Sequence, residues 1–150
     1  MDDKLRELTA KDEVIVAVNR LFIYTDKRDW ERVKRCFADN VYFDVTSMVG
    51  GEPTTLTPDD IVAAWDEGLK HLEAIHHQAG NYLVDVGQNV ATVFCYGTAS
   101  HYLPTVTGDN TRTYIGSYDF HLTKNAGAWL IDQFKFDLKY VDGNPDLEGD

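Results

Sequence analysis

The spacing of apolar residues changes along this 150-residue chain, and that change limits the folds it can adopt. Before His76, most apolar residues recur every three or four positions, which is typical of amphipathic helices. After His76 they alternate with polar residues, which is typical of half-buried strands. The alternation predicts four long strands, over residues 77–86, 90–103, 111–123 and 127–140. A run of helices followed by a run of strands predicts the α+β fold class.

The helical half carries several signals for helix starts and one short strand. Thr9 is a candidate N-cap for the first helix, and Asp26 and Asp29 are predicted as caps where the helical pattern breaks and restarts. Thr57 followed by Pro58 is the clearest start signal, because threonine caps well and proline fits the first helical position. The segment NVYFDVTSM alternates instead and predicts a short strand.

Short turn sequences join the later strands and favour an antiparallel arrangement. The segments DVGQN and KNAGA are typical of hairpin turns. About three helices packed on one long, curved, mostly antiparallel sheet would form a cone-shaped barrel, and the mouth of the cone would be a ligand pocket. We expect a single domain over residues 1–150, with its core at about 10–140 and a loose polar tail over 141–150.

Charge and composition exclude several classes of partner. Asp and Glu number 25 against 14 Lys and Arg, so the formal net charge is −11. Such a chain repels nucleic-acid phosphates and anionic membranes, and a small neutral or phenolic molecule is the expected partner. The charged N-terminus and the lack of an apolar run of about 18 residues predict a soluble, cytoplasmic protein. Cys36 and Cys95 form no CxxC motif and are expected to be buried free thiols.

Two of the five histidines stand near strand ends, and they are the main candidates for chemistry. An imidazole takes or gives a proton near neutral pH, so His77 and His101 could act as an acid–base pair. His76 points away from His77 in an extended segment, which argues against a metal site that combines these histidines with Asp119. No glycine-rich phosphate motif occurs. We therefore expect neither a metal nor another cofactor.

Several segments, in this order, resemble the nuclear transport factor 2-like superfamily, and within it the scytalone dehydratase and SnoaL-like branch. They are DKRDWERVKRCFADNVYFD, the helix opened by TPDD, the histidine that ends AIHH, the second histidine in YGTASHY, and the strand GAWLI. The resemblance covers roughly residues 10–140 and implies the cone-shaped fold. That fold hosts dehydratases, isomerases, cyclases and plain binding proteins, so the reaction stays open.

The resemblance also implies a site. In scytalone dehydratase two histidines face one pocket, and they match His77 and His101 here. A serine and an asparagine on the next strand bind substrate there, and they match Ser117 and Asp119, which share one side of a strand. Aspartate in place of asparagine would put a carboxylate beside the histidines, where it would orient an imidazole and stabilise its charged form. Asp119 is therefore the expected third member of the catalytic group.

Three positions depart from the scytalone dehydratase pattern. The tyrosine–aspartate pair on the first helix of that enzyme, and the tyrosine on its first strand, fall on Phe22, Ile23 and Val45 here. The helical carboxylate is thus expected to be missing, unless Tyr24 and Asp26 replace the pair through a shift of register. Scytalone itself is accordingly a poor expected substrate.

Together these residues predict a lyase or isomerase, of the dehydratase or cyclase type, that acts on a small cyclic hydroxy-carbonyl or aromatic compound. His77 and His101 would divide the base and acid roles, with Asp119 orienting one of them. The side chains expected to contact substrate are polar or aromatic, namely Ser117, Tyr24, Tyr96, Tyr114 and Trp65.

Two alternatives come from other classes of protein. One is a non-catalytic domain that binds a small ligand, and the other is an accessory subunit related to the β subunits of ring-hydroxylating dioxygenases, which share the fold.

Apolar residues on both faces of strands 90–103 and 127–140 further predict a homodimer or homotrimer, because a sheet that is apolar on both sides must cover both.

Overall fold

The computed structural model describes residues 2–148, which form four helices and six strands. The helices are α1 (Asp3–Asp26), α2 (Trp30–Arg35), α3 (Thr46–Val49) and α4 (Pro58–Leu69). The strands are β1 (Phe37–Asp44), β2 (Thr54–Leu56), β3 (Ala74–Val86), β4 (Val90–Tyr102), β5 (Thr111–Asn125) and β6 (Ala128–Gly143). The four long predicted strands are confirmed as β3 to β6. The short β2 is not among the predicted strands.

Side-chain caps start the helices, although not all at the predicted residues. The prediction for Thr9 is wrong: α1 begins after Asp2, which accepts a hydrogen bond from the Leu5 backbone N–H, and Thr9 lies inside the helix. Asp29 caps α2 as predicted, by accepting from the Arg32 backbone N–H at 3.3 Å. Thr57 caps α4 as the sequence predicts, with Asp60 completing a reciprocal capping box.

The six strands form one open, curved sheet in the order β2-β1-β6-β5-β4-β3. Neighbouring strands are antiparallel except for β1 and β6, which run parallel. With the helices packed on its concave side, this mixed sheet gives the α+β, cone-like architecture that the sequence predicted. The hairpins β3–β4 and β5–β6 have short turns, at 87–89 and 126–127, whereas the longer loop 103–110 joins β4 to β5. Alternation and turn residues act over such short distances, which is why they were sufficient to predict these strands.

The concave face of the sheet and the helix α1 enclose the main core. Val14, Val18 and Leu21 of α1 are fully buried, at helical spacing, against inward residues of the sheet. On β5 the inward side chains include Phe120 and Leu122, both buried. Because strand side chains alternate, this pairing fixes which residues of β5 can reach the interior.

The convex face of the sheet carries exposed aromatic and charged side chains. Tyr96 and Tyr140 are about half exposed, and the Lys139 ammonium lies 3.9 Å from the centroid of the Tyr96 ring. The homo-oligomer expected from these residues stays a prediction, and gel filtration at micromolar concentration tests it. No helix within residues 2–148 is long and apolar enough to cross a membrane.

The C-terminal residues 144–148 are docked on the body of the protein rather than loose. The strand β6 continues to Gly143, and Leu147 beyond it is fully buried against Leu72 and Ile75. The prediction of a loose tail is therefore wrong for residues 141–148. It was based on the polar composition of the segment, whereas a single buried leucine, Leu147, is enough to anchor it. Residues 149–150 lie outside the described part of the chain.

Candidate active site

A cavity of about 270 Å³ lies between the helices α1 and α4 and the concave face of the sheet. Its wall is mostly apolar and aromatic, with Phe22, Trp65 and Tyr118 among its members. A few polar side chains interrupt this wall, namely Thr25, His77, His101, Arg112 and Tyr114. An apolar cavity with a small number of convergent polar groups is the usual form of a small-molecule site.

Asp26 holds His77 at one side of the cavity. One carboxylate oxygen of Asp26 lies 2.6 Å from His77 Nδ1, and the other accepts the His77 backbone N–H at 2.8 Å. Asp26 is the last residue of α1 and His77 lies near the start of β3, so the contact joins helix to sheet. An ionised carboxylate only accepts hydrogen bonds, so Nδ1 carries the proton and a neutral His77 has its lone pair on Nε2.

Packing fixes the His77 ring as well. The Phe22 ring stacks on it, with centroids 5.5 Å apart and planes inclined by 20°. The side chains of His77 and Asp26 are only 15% and 17% exposed to solvent. A carboxylate paired with an imidazole in such surroundings orients the ring and stabilises its protonated form, which is what a general base requires.

His101 has the opposite arrangement on β4. Arg112 Nη2 lies 3.2 Å from His101 Nδ1, and since a guanidinium only donates, Nδ1 is the acceptor and Nε2 carries the proton. Burial lowers the pKa of His101 to about 4, with the Arg112 charge adding to the effect. His101 is therefore a neutral imidazole near pH 7, with an N–H donor at Nε2. Tyr114 packs beside it, with ring centroids 5.5 Å apart.

The structure brings four of the predicted site residues to one cavity. His77, His101, Tyr114 and Trp65 all line it. The two histidines come from neighbouring strands, since β3 pairs with β4, and Trp65 comes from α4 on the opposite side. The roles assigned to them remain predictions, but their common location agrees with the pocket that the sequence implied.

Asp119 and Ser117 do not lie in this cavity. Asp119 is exposed, and Ser117, although buried, does not line the cavity. Both have the opposite parity on β5 to Tyr118 and Phe120, which face the interior. The prediction that Asp119 lies beside the histidines is therefore wrong. Neighbouring residues of a strand point to opposite faces of the sheet, so an error of one residue puts a side chain on the wrong face.

Tyr96 and Tyr24 also lie away from the cavity. Tyr96 is on the convex face of the sheet, where it is 45% exposed. Tyr24 lines a separate groove between α1, α2 and the β5–β6 hairpin, with the Arg32 guanidinium 5.4 Å from the centroid of its ring. Neither tyrosine is placed to contact a ligand that is bound between the histidines.

The sequence predicted Asp26 as a helix cap, or else, together with Tyr24, as a replacement for the missing helical carboxylate; the structure places Asp26 against His77 and Tyr24 away from the cavity. Asp26 does not cap α2, because Asp29 does, and it places a carboxylate of α1 beside His77, as the shifted-register alternative predicted. A signal was available: a carboxylate in the last turn of a helix is disfavoured by the helix dipole, so its presence there needs another reason. The aligned position, Ile23, is 51% exposed and supplies no polar group.

Other reactive side chains in the described part of the chain offer no second chemistry at this site. Burial raises the pKa of Cys36 to about 11 and that of Cys95 to about 12, so both thiols stay protonated. Within residues 2–148, no group of three or more His, Cys, Asp and Glu side chains is arranged to hold a metal ion. His76 is exposed, as expected for a neighbour of His77 on an extended strand.

An open, curved sheet with helices on its concave side and a polar cluster inside the cone defines the NTF2-like class of folds. The SnoaL-like domain family matches residues 6–135, and the chain belongs to that family. Among curated proteins, none matches the sequence significantly.

Solved structures share the fold at low sequence identity. The Kfla4162 protein of Kribbella flavida superposes with a TM-score of 0.85 at 24% identity, covering 89% of this chain and 93% of its own. A protein from Novosphingobium aromaticivorans proposed to be a scytalone dehydratase gives 0.80 at 13% identity, covering 91% and 89%. A type 2 hexachlorocyclohexane dehydrochlorinase, LinA, gives 0.78 at 14% identity, covering 96% and 95%. At these identities the likeness establishes the fold and not the reaction.

Proposed function

We propose that this protein is a cofactor-independent lyase that removes water from a small cyclic hydroxy-carbonyl compound. The observation that carries the proposal is the contact between Asp26 and His77, 2.6 Å long, at the wall of an apolar cavity. Two of the similar structures are described as enzymes that eliminate water or hydrogen chloride, which agrees with elimination chemistry.

His77 is the general base in this proposal, and His101 is a hydrogen-bond donor. The Asp26 contact leaves the lone pair of His77 at Nε2 and stabilises the imidazolium that forms when Nε2 takes a proton. The Arg112 contact leaves a proton on His101 Nε2, and a neutral imidazole can donate it to a developing oxyanion. The two rings therefore have complementary protonation, which supports His77 as the base and His101 as the donor.

His77 and His101 supply all the proton transfers and the hydrogen bond that this dehydration needs. His77 Nε2 removes the proton on the carbon next to the substrate carbonyl, and the electrons of that C–H bond form an enolate whose oxygen receives the hydrogen bond of His101. The enolate then expels the hydroxyl group from the β-carbon as its C–O bond breaks. The leaving oxygen takes the proton from the His77 imidazolium and departs as water. The products are an unsaturated carbonyl compound and the protein in its starting state.

The rest of the cavity fits a ring compound of modest size. Phe22, Trp65 and Tyr118 supply aromatic surface, and Thr25 and Tyr114 supply hydroxyl groups. A cavity wall of this kind excludes water, which strengthens the hydrogen bond to an enolate. The acidic net charge of −11 disfavours polyanionic substrates for the same reason that it disfavours nucleic acid.

The test follows proton removal and elimination separately. Cyclic β-hydroxy ketones are incubated with the protein in deuterated water; NMR records deuterium entry at the α-carbon, and absorbance records the unsaturated ketone. Wild type should do both, and His77→Ala should do neither. If compounds that raise the thermal midpoint of the wild type undergo neither exchange nor elimination, the lyase proposal is wrong and the ligand-binding alternative is favoured.

The accessory-subunit alternative has its own observation and its own test. One similar structure, at 16% identity, is described as a candidate aromatic ring hydroxylase, and that likeness concerns the fold alone. Co-purification of the chain with a larger iron–sulfur protein from its native cells would favour this alternative. Turnover by the isolated chain would contradict it.

A further inference from the structure

The last described residues form a short segment that reaches the active site, and we call residues 144–148 the C-terminal strap. Asn144 begins it, with its backbone N–H donating to the Thr111 carbonyl at 2.8 Å and its side chain donating to the Asp109 carbonyl at 3.0 Å. Leu147 anchors it, fully buried beside Leu72 and Ile75. The strap is therefore fixed to the start of β5 and to the segment between α4 and β3.

The strap holds Arg112, a residue of the cavity wall. Arg112 Nη1 donates to Glu148 Oε1 at 2.8 Å and lies 3.4 Å from the Pro145 carbonyl oxygen. The other carboxylate oxygen of Glu148 lies 3.1 Å from His71 Nε2. The hydrogen bond with Arg112 lowers the pKa of Glu148, which is the direction expected for a carboxylate that accepts from a cation.

Arg112 connects the strap to His101. Its Nη1 faces the strap, while its Nη2 donates to His101 Nδ1 at 3.2 Å. The residue is 6% exposed, and its Nε is buried without a hydrogen-bond partner in the described part of the chain. A buried guanidinium with an unused N–H costs free energy, so stability alone gives a poor account of this arrangement.

The contact decides which nitrogen of His101 carries the proton. An isolated neutral imidazole can carry the proton on either nitrogen, but a guanidinium in contact with Nδ1 allows only the form protonated at Nε2. Four charged or titratable groups act on His101, from four parts of the chain: Arg112, His77, His71 and Glu148. Glu148 alone favours the charged form of His101, and the other three oppose it.

We propose that Arg112, held in place by the C-terminal strap, is a positioning residue that keeps His101 in its Nε2–H form, ready to donate to an oxyanion in the cavity. The catalytic part of this statement rests on the proposed lyase function. The structural part does not, because the protonation of His101 can be observed without any substrate. The strap thereby makes the active site depend on residues that lie beyond the last strand.

The test is a nitrogen-15 NMR titration of the histidine side chains in the full chain. In wild type, the ring signals of His101 should show a neutral imidazole protonated at Nε2 throughout pH 5 to 8. Arg112→Met removes both the cation and the donor, so His101 should show a mixture of the two neutral forms and a pKa higher by about one unit or more. Arg112→Lys keeps the cation and should keep His101 neutral.

A variant in the strap tests the same idea. Its side chain is exposed, so the substitution should leave the packing of the core unchanged. The direct effect of Glu148→Gln is to lower the pKa of His101, because the carboxylate that it removes favours the charged form. The variant should also loosen Arg112, so that His101 stays neutral but exchanges between its two forms. Glu67→Gln is the matched control, since it breaks an exposed contact with Lys70, 2.6 Å long, away from the cavity. That control should leave the His101 signals unchanged.

The outcomes separate this proposal from the lyase proposal. A wild-type His101 that is protonated at Nδ1, or one that keeps its signals in Arg112→Met and Glu148→Gln, overturns the positioning role whatever the activity. If the signals change as expected and a substrate is turned over, kcat should fall in Glu148→Gln with little change in KM. If the signals change and no substrate is found, the positioning role stands and the lyase proposal fails.

Discussion

The carboxylate of Asp26 binds His77 at two points, the ring nitrogen Nδ1 at 2.6 Å and the backbone N–H at 2.8 Å. This double contact fixes the end of α1 against β3 and sets the protonation of the ring in one step. A carboxylate at the end of a helix is therefore both part of the fold and part of the candidate chemistry.

Asp26→Asn should lower kcat/KM by about 100-fold or more while the protein stays folded. Asparagine has one acceptor oxygen where aspartate has two, and its neutral amide does not stabilise a charged ring, so His77 loses its orientation and the stabilisation of the imidazolium that forms during the reaction. Steady-state kinetics on the substrate that the exchange assay identifies would measure the loss. Asp29→Asn is the matched control, because asparagine caps a helix as well as aspartate does and Asp29 lies outside the cavity. Equal activity of the two variants would remove Asp26 from the mechanism.

His77→Ala should lose proton abstraction at the substrate α-carbon, with a fall of at least about 100-fold in the exchange rate. The neighbouring variant His76→Ala should keep the wild-type rate, since His76 is exposed and points away from the cavity. His101→Ala should slow turnover by about 100-fold as well, because it removes the donor to the enolate oxygen. Deuterium exchange followed by NMR measures proton abstraction in each variant, and it should be lost without the base and slowed without the donor to the enolate. Exchange that continues in His77→Ala would assign the base role elsewhere.

Asp119→Asn should leave kcat and KM within about twofold of wild type. The side chain is exposed on the convex face of the sheet, so it reaches neither histidine. This outcome would agree with the exposed position of Asp119 in the structure and would contradict the sequence-based hypothesis, which placed Asp119 in the catalytic group. A loss as large as that of Asp26→Asn would favour the sequence-based hypothesis and contradict the register of β5.

The stability of the protein should fall in mild acid partly because of His101. Its pKa is about 4 in the folded protein and about 6.5 when unfolded, so the unfolded chain binds an extra proton between these values. Stability is therefore lost as the pH falls below about 6.5, and the loss stops near the folded pKa. Between pH 7.5 and pH 5 this single group should cost about 2 kcal/mol of the free energy of unfolding.

Chemical denaturation of wild type and His101→Gln at the two pH values measures that cost. The difference between the two proteins should change by about 2 kcal/mol from pH 7.5 to pH 5, because the variant lacks the titrating group. Other acidic and basic groups are common to both proteins and largely cancel in the comparison. A difference that is the same at both pH values would show that His101 is not held neutral.

The sequence by itself determined the parts of the fold that depend on neighbouring residues. Alternation and hairpin turns predicted β3 to β6, and Thr57 with Pro58 predicted the start of α4, because these signals act within a few residues. Parity along β5 was also present in the sequence: Tyr118, Phe120 and Leu122 alternate with polar residues. The resemblance to scytalone dehydratase placed Asp119 inside against that pattern, and the pattern was the better guide to the β5 side chains.

Tertiary structure alone decided which side chains meet across the cone. Asp26 and His77 are 51 residues apart, and Glu148 and Arg112 are 36 apart, so no local pattern reports either contact. Their pairing depends on how α1 packs on the sheet and on how Leu147 anchors the strap. The protonation of each histidine follows from those contacts, because only the partner at Nδ1 determines which nitrogen is left to act.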